Sequence, residues 1–334
     1  MLGASTDMPP VADGAKSLVV VSYNVENLFD PRVSAENPDS SFTPGGDHHF
    51  TFRRLRAKAR GIARALACCA GGERPALVGL CEVENAYVVR ELITAPPLHA
   101  VGYRYLHRDS PDHRGIDVAL LYDPTRLTLR GYNWLVPKHD SAHGWQSREM
   151  LCAQFELPNG ELLSVVQCHW PSKASGPIAS GQRRAKTARR LMRAIDSIRL
   201  VQPDAKIIAM GDFNEEAAAS LFERVSTPSL REASTDGRLV NLLHPDCLGK
   251  RGRGSHKYHG QWSQIDLFLV SSPLLEAEGY QVEPASVGVA ALPWLLERDE
   301  KFGGLIPYRT YKGIHYNGGY SDHLPIVLRL SVSH

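Results

Sequence analysis

The chain has 334 residues, 43% of them hydrophobic and 22% charged, proportions typical of a globular protein with a buried core. Its net charge is only +2, with 38 Lys+Arg against 36 Asp+Glu, so composition neither requires nor excludes a polyanionic substrate. No stretch approaches the roughly 20 apolar residues of a membrane-spanning helix. The six cysteines show no CxxC spacing, which disfavours a zinc ribbon or a redox motif.

The first residues lack the charged start and apolar segment of a secretory signal. Residues 1–17 are therefore predicted to be a flexible lead-in, followed by a single domain over residues 18–332. We expect a soluble protein with no transmembrane segment and no obligate protein partner. The compartment stays open, because a cytoplasmic protein and an exported one with its signal removed would look alike.

Strand-like and helix-like patterns alternate along the chain, which favours one α/β domain of layered sheets and helices. Apolar and β-branched runs predict strands over residues 18–23, 76–81, 116–122, 127–132, 151–157, 162–168, 206–210, 265–271 and 324–330. Apolar positions at helical spacing predict helices over residues 52–69, 86–93 and 182–200. The last helix has an arginine-rich face, more typical of a solvated surface than of a nucleic-acid-binding helix.

Two polar motifs follow the first two predicted strands. Asn24, in SYNVEN, offers a neutral oxygen ligand or is simply a turn residue. Glu82, in CEVEN, directly follows a buried run, where an unpaired carboxylate is costly. Mg²⁺, which prefers carboxylates, water and phosphate oxygens, would be a suitable partner, although an acid near the start of the next helix is the alternative.

Two further motifs follow later strands. His169, in CHWPS, could donate to a phosphate oxygen or be an ordinary strand-end histidine. In GDFN, Gly211 permits a tight turn, and Asp212 and Asn214 could hold one water between them. Positioning a water for in-line attack is the main requirement of phosphoryl transfer. A simple Asx turn is the alternative for GDFN, but we favour the functional interpretation.

The fifth motif, SDHLP, places Asp322 beside His323. In extended chain the two side chains point to opposite faces, so one could face a metal and the other the substrate. Asp266, alone in an apolar strand, needs a partner and is the candidate that orients His323 and stabilises its cation.

Taken together, these motifs resemble the endonuclease/exonuclease/phosphatase superfamily, whose founding fold is that of deoxyribonuclease I. The order SYNVEN, CEVEN, RGIDVALLY, CHWPS, GDFN, QIDLFLVS and SDHLP is similar to the order in that family over residues 18–330. The late stretch FGGLIPYRTYKGIHYNGGYSDH most resembles a bacterial branch without an assigned substrate. The resemblance implies a four-layer α/β (α+β) sandwich of two packed mixed β-sheets flanked by helices.

The resemblance also implies a role for each matching residue. Glu82 would be the main ligand of Mg²⁺, with Mn²⁺ or Ca²⁺ as alternatives, and Asn24 and Asp322 would lie nearby. Asp212, aided by Asn214, would orient or deprotonate the attacking water. His323, paired with Asp266, and His169 would stabilise phosphoryl oxygens, and the assignment of acid and base stays open. Arg148 resembles the family's phosphate-contacting arginine, with a surface salt bridge as the alternative.

The predicted function is metal-dependent hydrolysis of a phosphodiester, or of a phosphomonoester, by activated water. A nuclease-like hydrolase is favoured over a phosphatase of small molecules or of inositol or lipid headgroups. For a nucleic-acid substrate, the basic loop over residues 250–258, together with Arg104 and Tyr105, could contact phosphates or be a solvated turn. A non-catalytic binding protein on the same fold is the alternative from another class. A zinc hydrolase is weaker, since HExxH and HxH do not occur.

Overall fold

The computed structural model describes residues 17–32, 40–112, 114–137, 148–173, 176–248, 254–276 and 278–332. Apart from Ser17, the predicted lead-in lies outside these residues. The described strands, in chain order, are β1 (Ser17–Leu28), β2 (Leu77–Val83), β3 (Arg104–His107), β4 (Asp117–Tyr122), β5 (Thr128–Leu135), β6 (Met150–Glu156), β7 (Leu162–His169), β8 (Lys206–Asp212), β9 (Ser226–Thr227), β10 (Leu239–Asn241), β11 (His256–Tyr258), β12 (Gln261–Ser263), β13 (Asp266–Val270), β14 (Tyr280–Val282), β15 (Gly288–Val289), β16 (Leu296–Arg298), β17 (Leu305–Pro307), β18 (Tyr311–Lys312), β19 (His315–Tyr316) and β20 (Ile326–Val332).

The described helices are α1 (Phe52–Cys68), α2 (Ala86–Ile93), α3 (Pro177–Val201), α4 (Leu230–Asp236), α5 (Pro245–Leu248) and α6 (Pro273–Glu276). Short 3₁₀ segments cover Ser40–Phe42, Leu98–Ala100, Ser220–Arg224, Pro284–Ser286 and Pro293–Leu295. Each strand and helix predicted from the apolar pattern is present, with ends shifted by a few residues. The short elements β3, β9, β10 and α4 have no predicted counterpart.

The fold contains two mixed β-sheets, and each is built around a central pair of parallel strands. The first sheet has the order β14-β20-β1-β2-β4-β3, with β15 also pairing with β20. The second has the order β5-β6-β7-β8-β13-β10-β9. Each contains a central parallel pair, β1 with β2 and β7 with β8, flanked by antiparallel strands. The carboxyl ends of the parallel strands are therefore the places where each sheet can present polar side chains.

Alternation along β1 divides the apolar residues between two cores, as expected for a strand buried on both faces. Leu18 and Val20 belong to the core that includes Ile208 of β8, in the second sheet. Val19 and Val21 belong to the core that includes α1. With α1 and α2 outside the first sheet and α3 outside the second, the layers form the four-layer sandwich that the sequence predicts.

The helices follow from their apolar stripes and caps. In α1 the apolar residues Leu55, Ala59, Ile62, Ala63 and Leu66 form a buried stripe, and Thr51 accepts the Arg54 N–H at the N-cap. In α3 the apolar residues Leu191 and Ile195 are buried against the second sheet.

The arginine-rich face of α3 contains one exception to the predicted solvated surface. Arg184 is buried, because its guanidinium binds Glu215 at 3.0 Å and donates to the Pro171 carbonyl. Across the described ranges, no helix, the 25-residue α3 included, is apolar and long enough to cross a membrane.

Gly211, at the end of β8, occupies a position that a side chain would strain. Its φ is +138°, and a Cβ would lie 1.9 Å from the Cys168 carbonyl oxygen of β7. We expect Gly211→Ala to lower the free energy of unfolding by roughly 2–5 kcal/mol, from backbone strain plus overpacking. Urea denaturation of the two proteins measures the difference.

The matched control is Gly131→Ala in β5, where a Cβ would meet no atom within 4 Å. We expect this variant to stay within about 0.5 kcal/mol of the parent protein. Equal stability of the two variants would contradict the assigned backbone constraint at Gly211.

Candidate active site

The carboxyl ends of the two parallel strand pairs meet at one edge of the sandwich. Asn24 lies in β1 and Glu82 in β2, whereas His169 ends β7 and Asp212 ends β8. His169 and Asp212 are register partners. The Asn24 amide Nδ2 donates to Asp212 Oδ2 at 3.0 Å, so the two sheets are joined at this point.

Asp212 is the centre of the cluster. Its Oδ2 atom lies 3.7 Å from His169 Nε2 and 3.9 Å from His323 Nε2. Burial raises the pKa of Asp212 to about 7; the charge of His323 opposes this effect, and that of Asp266 adds to it. The carboxyl group is therefore poised to exchange a proton near neutral pH.

The GDFN segment forms the Asx turn that was the alternative interpretation of the motif, and its water-holding role stays a prediction. The Asn214 backbone N–H donates to Asp212 Oδ1 at 2.7 Å, which is an Asx turn. The Asn214 amide Nδ2 donates to the Trp170 carbonyl at 2.9 Å. Because the amide nitrogen donates to the main chain, a water shared by Asp212 and Asn214, as predicted, would have to bind the Asn214 side-chain oxygen.

Asp266 lies beside His323. Its Oδ2 atom is 2.7 Å from His323 Nδ1 and also accepts the Ser255 hydroxyl at 2.6 Å. Burial alone would lower the pKa of His323, but the charge and hydrogen bond of Asp266, followed by the charge of Asp212, raise it well above its usual range. His323 is therefore an imidazolium at neutral pH.

The expectation that Asp322 and His323 face opposite ways is wrong. Asp322 Oδ1 lies 4.0 Å from His323 Nε2, so the two side chains converge on the same space. The reason is a bend before β20: the Ser321 hydroxyl accepts the His323 backbone N–H at 3.0 Å, and the chain is not extended there. Burial raises the pKa of Asp322, but His323 and Arg309 outweigh it and leave that pKa below its usual range.

Glu82 occupies an irregular position at the end of β2. Its φ is +65°, and the pairing of β2 with β4 shifts register between Cys81 and Val83. Glu82 Oε2 accepts the Asn27 backbone N–H at 2.9 Å, and Oε1 lies 3.8 Å from His169 Nε2. The side chain that caps α2 is Asn85, not Glu82, so helix capping does not explain this acid.

Arg148 lies at the site and is buried rather than on the surface. Its Nη1 atom is 2.6 Å from His169 Nε2, and its Nε atom is 3.3 Å from Asp112 Oδ2. Burial, and next the charge of Arg148, lower the pKa of His169 well below its usual range. His169 is therefore neutral, with Nε2 as the acceptor.

The structure thus brings every predicted site residue into one connected cluster: Asn24, Glu82, Arg148, His169, Asp212, Asn214, Asp266, Asp322 and His323. Their individual roles stay predictions. Two groups in the cluster place potential ligand atoms within 4.8 Å of one another, namely Asp212–Asp266–His323 and His256–Asp322–His323.

Sequence reasoning missed Glu26 and Arg309 in the cluster, and it named His256 only as part of the basic loop. Arg309 contacts Glu26 Oε1 through Nε at 2.9 Å and Asp322 Oδ2 through Nη2 at 3.1 Å. His256 pairs with His323 through the backbone, with ring centroids 4.7 Å apart. The available signal for Glu26 was its position in the SYNVEN motif, whereas no local pattern singles out Arg309.

The proposed basic phosphate-contacting loop is only partly described, because residues 250–253 lie outside the described ranges. Within its visible part, Lys257 is buried and bonded to Asp299 Oδ2 at 2.7 Å, so it is not a free surface cation. Arg104 begins β3, at the strand end away from the site, and Tyr105 accepts a hydrogen bond from Arg90.

Comparison with known proteins agrees with this architecture. The model of the Endonuclease/Exonuclease/phosphatase family matches residues 19–332. No curated protein matches the chain by sequence. Three solved structures share the fold over 95% of this chain. Humanized D. rerio TDP2 with 14 mutations matches at a TM-score of 0.57 and 17% identity over 99% of its chain, and the human Nocturnin catalytic domain with bound sulfate at a TM-score of 0.56 and 14% identity over 95% of its chain. An endonuclease/exonuclease/phosphatase from Bacteroides vulgatus matches at a TM-score of 0.55 and 15% identity over 99% of its chain.

The two packed mixed sheets and their shared polar edge define a protein of the deoxyribonuclease I-like class. The chain belongs to the endonuclease/exonuclease/phosphatase family, a family of phosphoester hydrolases.

Proposed function

We propose that the protein is a divalent-metal-dependent phosphodiesterase of nuclease-like type, in which an activated water attacks phosphorus without a covalent enzyme intermediate. The observation that carries the proposal is the position of Asp212: a buried carboxyl with a pKa of about 7, within 4.0 Å of one neutral and one cationic histidine. A base and an acid side by side in one small site are what water-mediated phosphoester hydrolysis needs.

The metal ligands in this proposal are Glu82, with Asn24 and Asp322. Their donors are carboxylate and amide oxygens, the hard ligands that suit Mg²⁺, with Mn²⁺ and Ca²⁺ as alternatives. Asn24 Oδ1 accepts one backbone N–H, from Glu26, which leaves a second lone pair free. The bound cation would neutralise charge on the substrate phosphate.

The proposed proton transfers follow from the charge states of the side chains. Asp212 takes the proton of the attacking water, and Asn214 fixes its turn. His323 is the better candidate to protonate the leaving oxygen, because Asp266 keeps it cationic. His169 is neutral and its Nε2 accepts a hydrogen bond from Arg148, so it would hold the Arg148 guanidinium against the phosphoryl oxygens rather than supply a proton.

The likeness to other structures supports a tetrahedral anion as the ligand. The human Nocturnin catalytic domain holds a sulfate, an ion of phosphate shape. Nucleic acid is the substrate that we favour. A small-molecule, inositol or lipid-headgroup phosphatase, and a non-catalytic binding protein on this fold, are the rivals that the experiments below exclude or select.

We expect Asp212→Asn and His323→Ala each to lower the turnover of bis-(p-nitrophenyl) phosphate by about a hundredfold or more, the usual contribution of a general acid or base. Release of p-nitrophenol at saturating Mg²⁺ measures this loss. The matched control is Asp236→Asn, at an exposed aspartate at the end of α4 that pairs with Arg238, and it should keep the parent rate. Near-parent rates in both site variants, with folding intact, would rule out the assignment.

We expect protein treated with EDTA to be inactive until Mg²⁺, Mn²⁺ or Ca²⁺ is added, and Glu82→Gln to weaken Mg²⁺ binding by about tenfold or more. Loss of even an outer partner of a metal ligand has effects of that size. Calorimetric titration of Mg²⁺ measures affinity without substrate, and hydrolysis of plasmid DNA, RNA, a phosphodiester and a phosphomonoester measures activity.

The control for this experiment is Glu300→Gln, at a largely exposed acid that pairs with Arg298. Unchanged Mg²⁺ affinity in Glu82→Gln would contradict the ligand assignment. Cleavage confined to monoesters would select the phosphatase, and absence of hydrolysis with every metal would select the binding protein.

A further inference from the structure

A cavity of about 270 Å³ adjoins the candidate active site. It is lined by the end of β1, the segment before α1, α1 itself and the β18–β19 region. Its volume is below the roughly 300–1,000 Å³ of pockets that enclose a whole drug-sized ligand. The cavity therefore has room for one substituent of a substrate, not for a complete substrate.

The lining of the cavity includes residues that adjoin or contact the proposed metal ligands. Glu26 lines it two residues after Asn24, and Asn27 lines it while donating its N–H to Glu82. Arg309 lines it and contacts Asp322 Oδ2 at 3.1 Å. A group bound in the cavity would therefore lie one side chain away from the place proposed for the scissile phosphate.

Lys58 is a buried cation in the wall of this cavity. It is 3% exposed and lies on the apolar stripe of α1, where a lysine is unexpected. Its Nζ atom donates to Thr310 Oγ1 at 2.5 Å and to the Tyr320 carbonyl at 3.1 Å. Both acceptors are neutral, so among the described residues the ammonium group has hydrogen bonds but no directly bonded carboxylate.

The carboxylate in the lining is already engaged. Glu26 Oε1 accepts from Arg309 Nε at 2.9 Å, and Glu26 Oε2 accepts the Thr310 N–H at 3.1 Å. Burial lowers the pKa of Lys58 to about 8, so its amine is still mostly protonated at neutral pH. Arg309 is shared by Glu26 and by Asp322, which lies outside the lining, so Lys58 is the cation of the lining that has no carboxylate bonded to it.

The aromatic wall of the cavity is held in place by hydrogen bonds. The Tyr311 hydroxyl donates to the His48 carbonyl at 2.9 Å, and Arg54 Nη1 donates to the same oxygen at 2.6 Å. The Phe42 and His48 rings stack with centroids 4.0 Å apart. Buried His48 Nδ1 has no hydrogen-bond partner among the described residues. A preformed wall of this kind strengthens the attraction between Lys58 and an anion by limiting water.

We propose that this cavity is a second anion subsite: it binds a phosphate-sized anionic group that the substrate carries beside the scissile phosphoester, with Lys58 and Arg309 as its cations. The inference rests on the phosphodiesterase function proposed above. A cationic substituent would meet Lys58 and Arg309 directly, and a neutral one would leave the buried Lys58 charge unpaired, which costs free energy.

The test compares esters that differ only in the second phosphate. One pair is the p-nitrophenyl ester of thymidine 5′-phosphate without and with a 3′-phosphate. The other pair is the p-nitrophenyl ester of glycerol phosphate without and with a second phosphate. The readout is the ratio of kcat/KM within each pair, because a ratio cancels losses that affect both esters equally.

We expect the parent protein to prefer the doubly phosphorylated ester by about tenfold or more, the effect of one charge-assisted contact. Lys58→Met should abolish most of this preference, while the control Lys312→Met, at a half-exposed lysine paired with Glu297, should retain it. If Lys58→Met does not fold, Lys58→Gln provides the same comparison.

The outcomes separate the two proposals. A preference in the nucleotide pair alone identifies a nucleotide substrate, and one in the glycerol pair alone identifies a polyol phosphate; both support the subsite. Equal hydrolysis with and without the second phosphate, or a preference that survives in Lys58→Met, overturns the subsite alone. No hydrolysis of any ester overturns the proposed function.

Discussion

The 3.0 Å hydrogen bond from Asn24 to Asp212 joins the two sheets. It lies at the edge of the sandwich where the carboxyl ends of the two central parallel pairs meet. Both sheets supply polar residues to the site. β1 and β2 bring Asn24 and Glu82, and β7 and β8 bring His169 and Asp212. Packing of the sheets therefore assembles the site, and the large apolar core between them fixes its geometry. A shift of one sheet relative to the other would separate the residues of the cluster.

Concentrating carboxylates in this edge has an electrostatic cost that the neighbouring cations offset. Burial raises the pKa of Asp212 to about 7 and that of Glu26 to about 7. The charge of His323 opposes the rise in the pKa of Asp212, and that of Arg309 opposes the rise in the pKa of Glu26. Both charges also lower the pKa of Asp322. The result is a site with different charge states side by side: a cationic His323, a neutral His169 and a carboxyl group between them. Such a separation of pKa values is typical of acid and base pairs.

Much of this arrangement could be predicted from the sequence, because the strands and the motifs are both local signals. Apolar runs identified the central strands; four of the five motifs lie at the carboxyl ends of such strands, and SDHLP directly precedes the last one. The pairing of Asp266 with His323 was predictable because a lone acid in an apolar strand requires a partner. The mutual approach of Asp322 and His323 was not, since it depends on a bend stabilised by Ser321.

Residues that act through long-range contacts differ in whether the local sequence marks them, and Arg309 carried no local signal. Arg309 lies in a connecting segment and reaches the site only because β20 returns beside β1. Lys58 did have one, as a charged residue in line with Leu55 and Ile62 on the apolar stripe of α1. The role of Lys58 could be inferred only from the cavity that it lines, which the sequence does not show. Elements of two or three residues, such as β9 and β10, are too short for an apolar period to mark them.

The most direct test of the account is the stereochemical course at phosphorus. A phosphorothioate diester of one configuration, hydrolysed by the Mg²⁺-loaded protein in ¹⁸O-water, reports whether water displaces the leaving group in a single in-line step. Direct attack by the water that Asp212 activates predicts inversion of configuration, with ¹⁸O bonded to phosphorus in the product. Retention of configuration would reveal a covalent enzyme intermediate and would contradict the account.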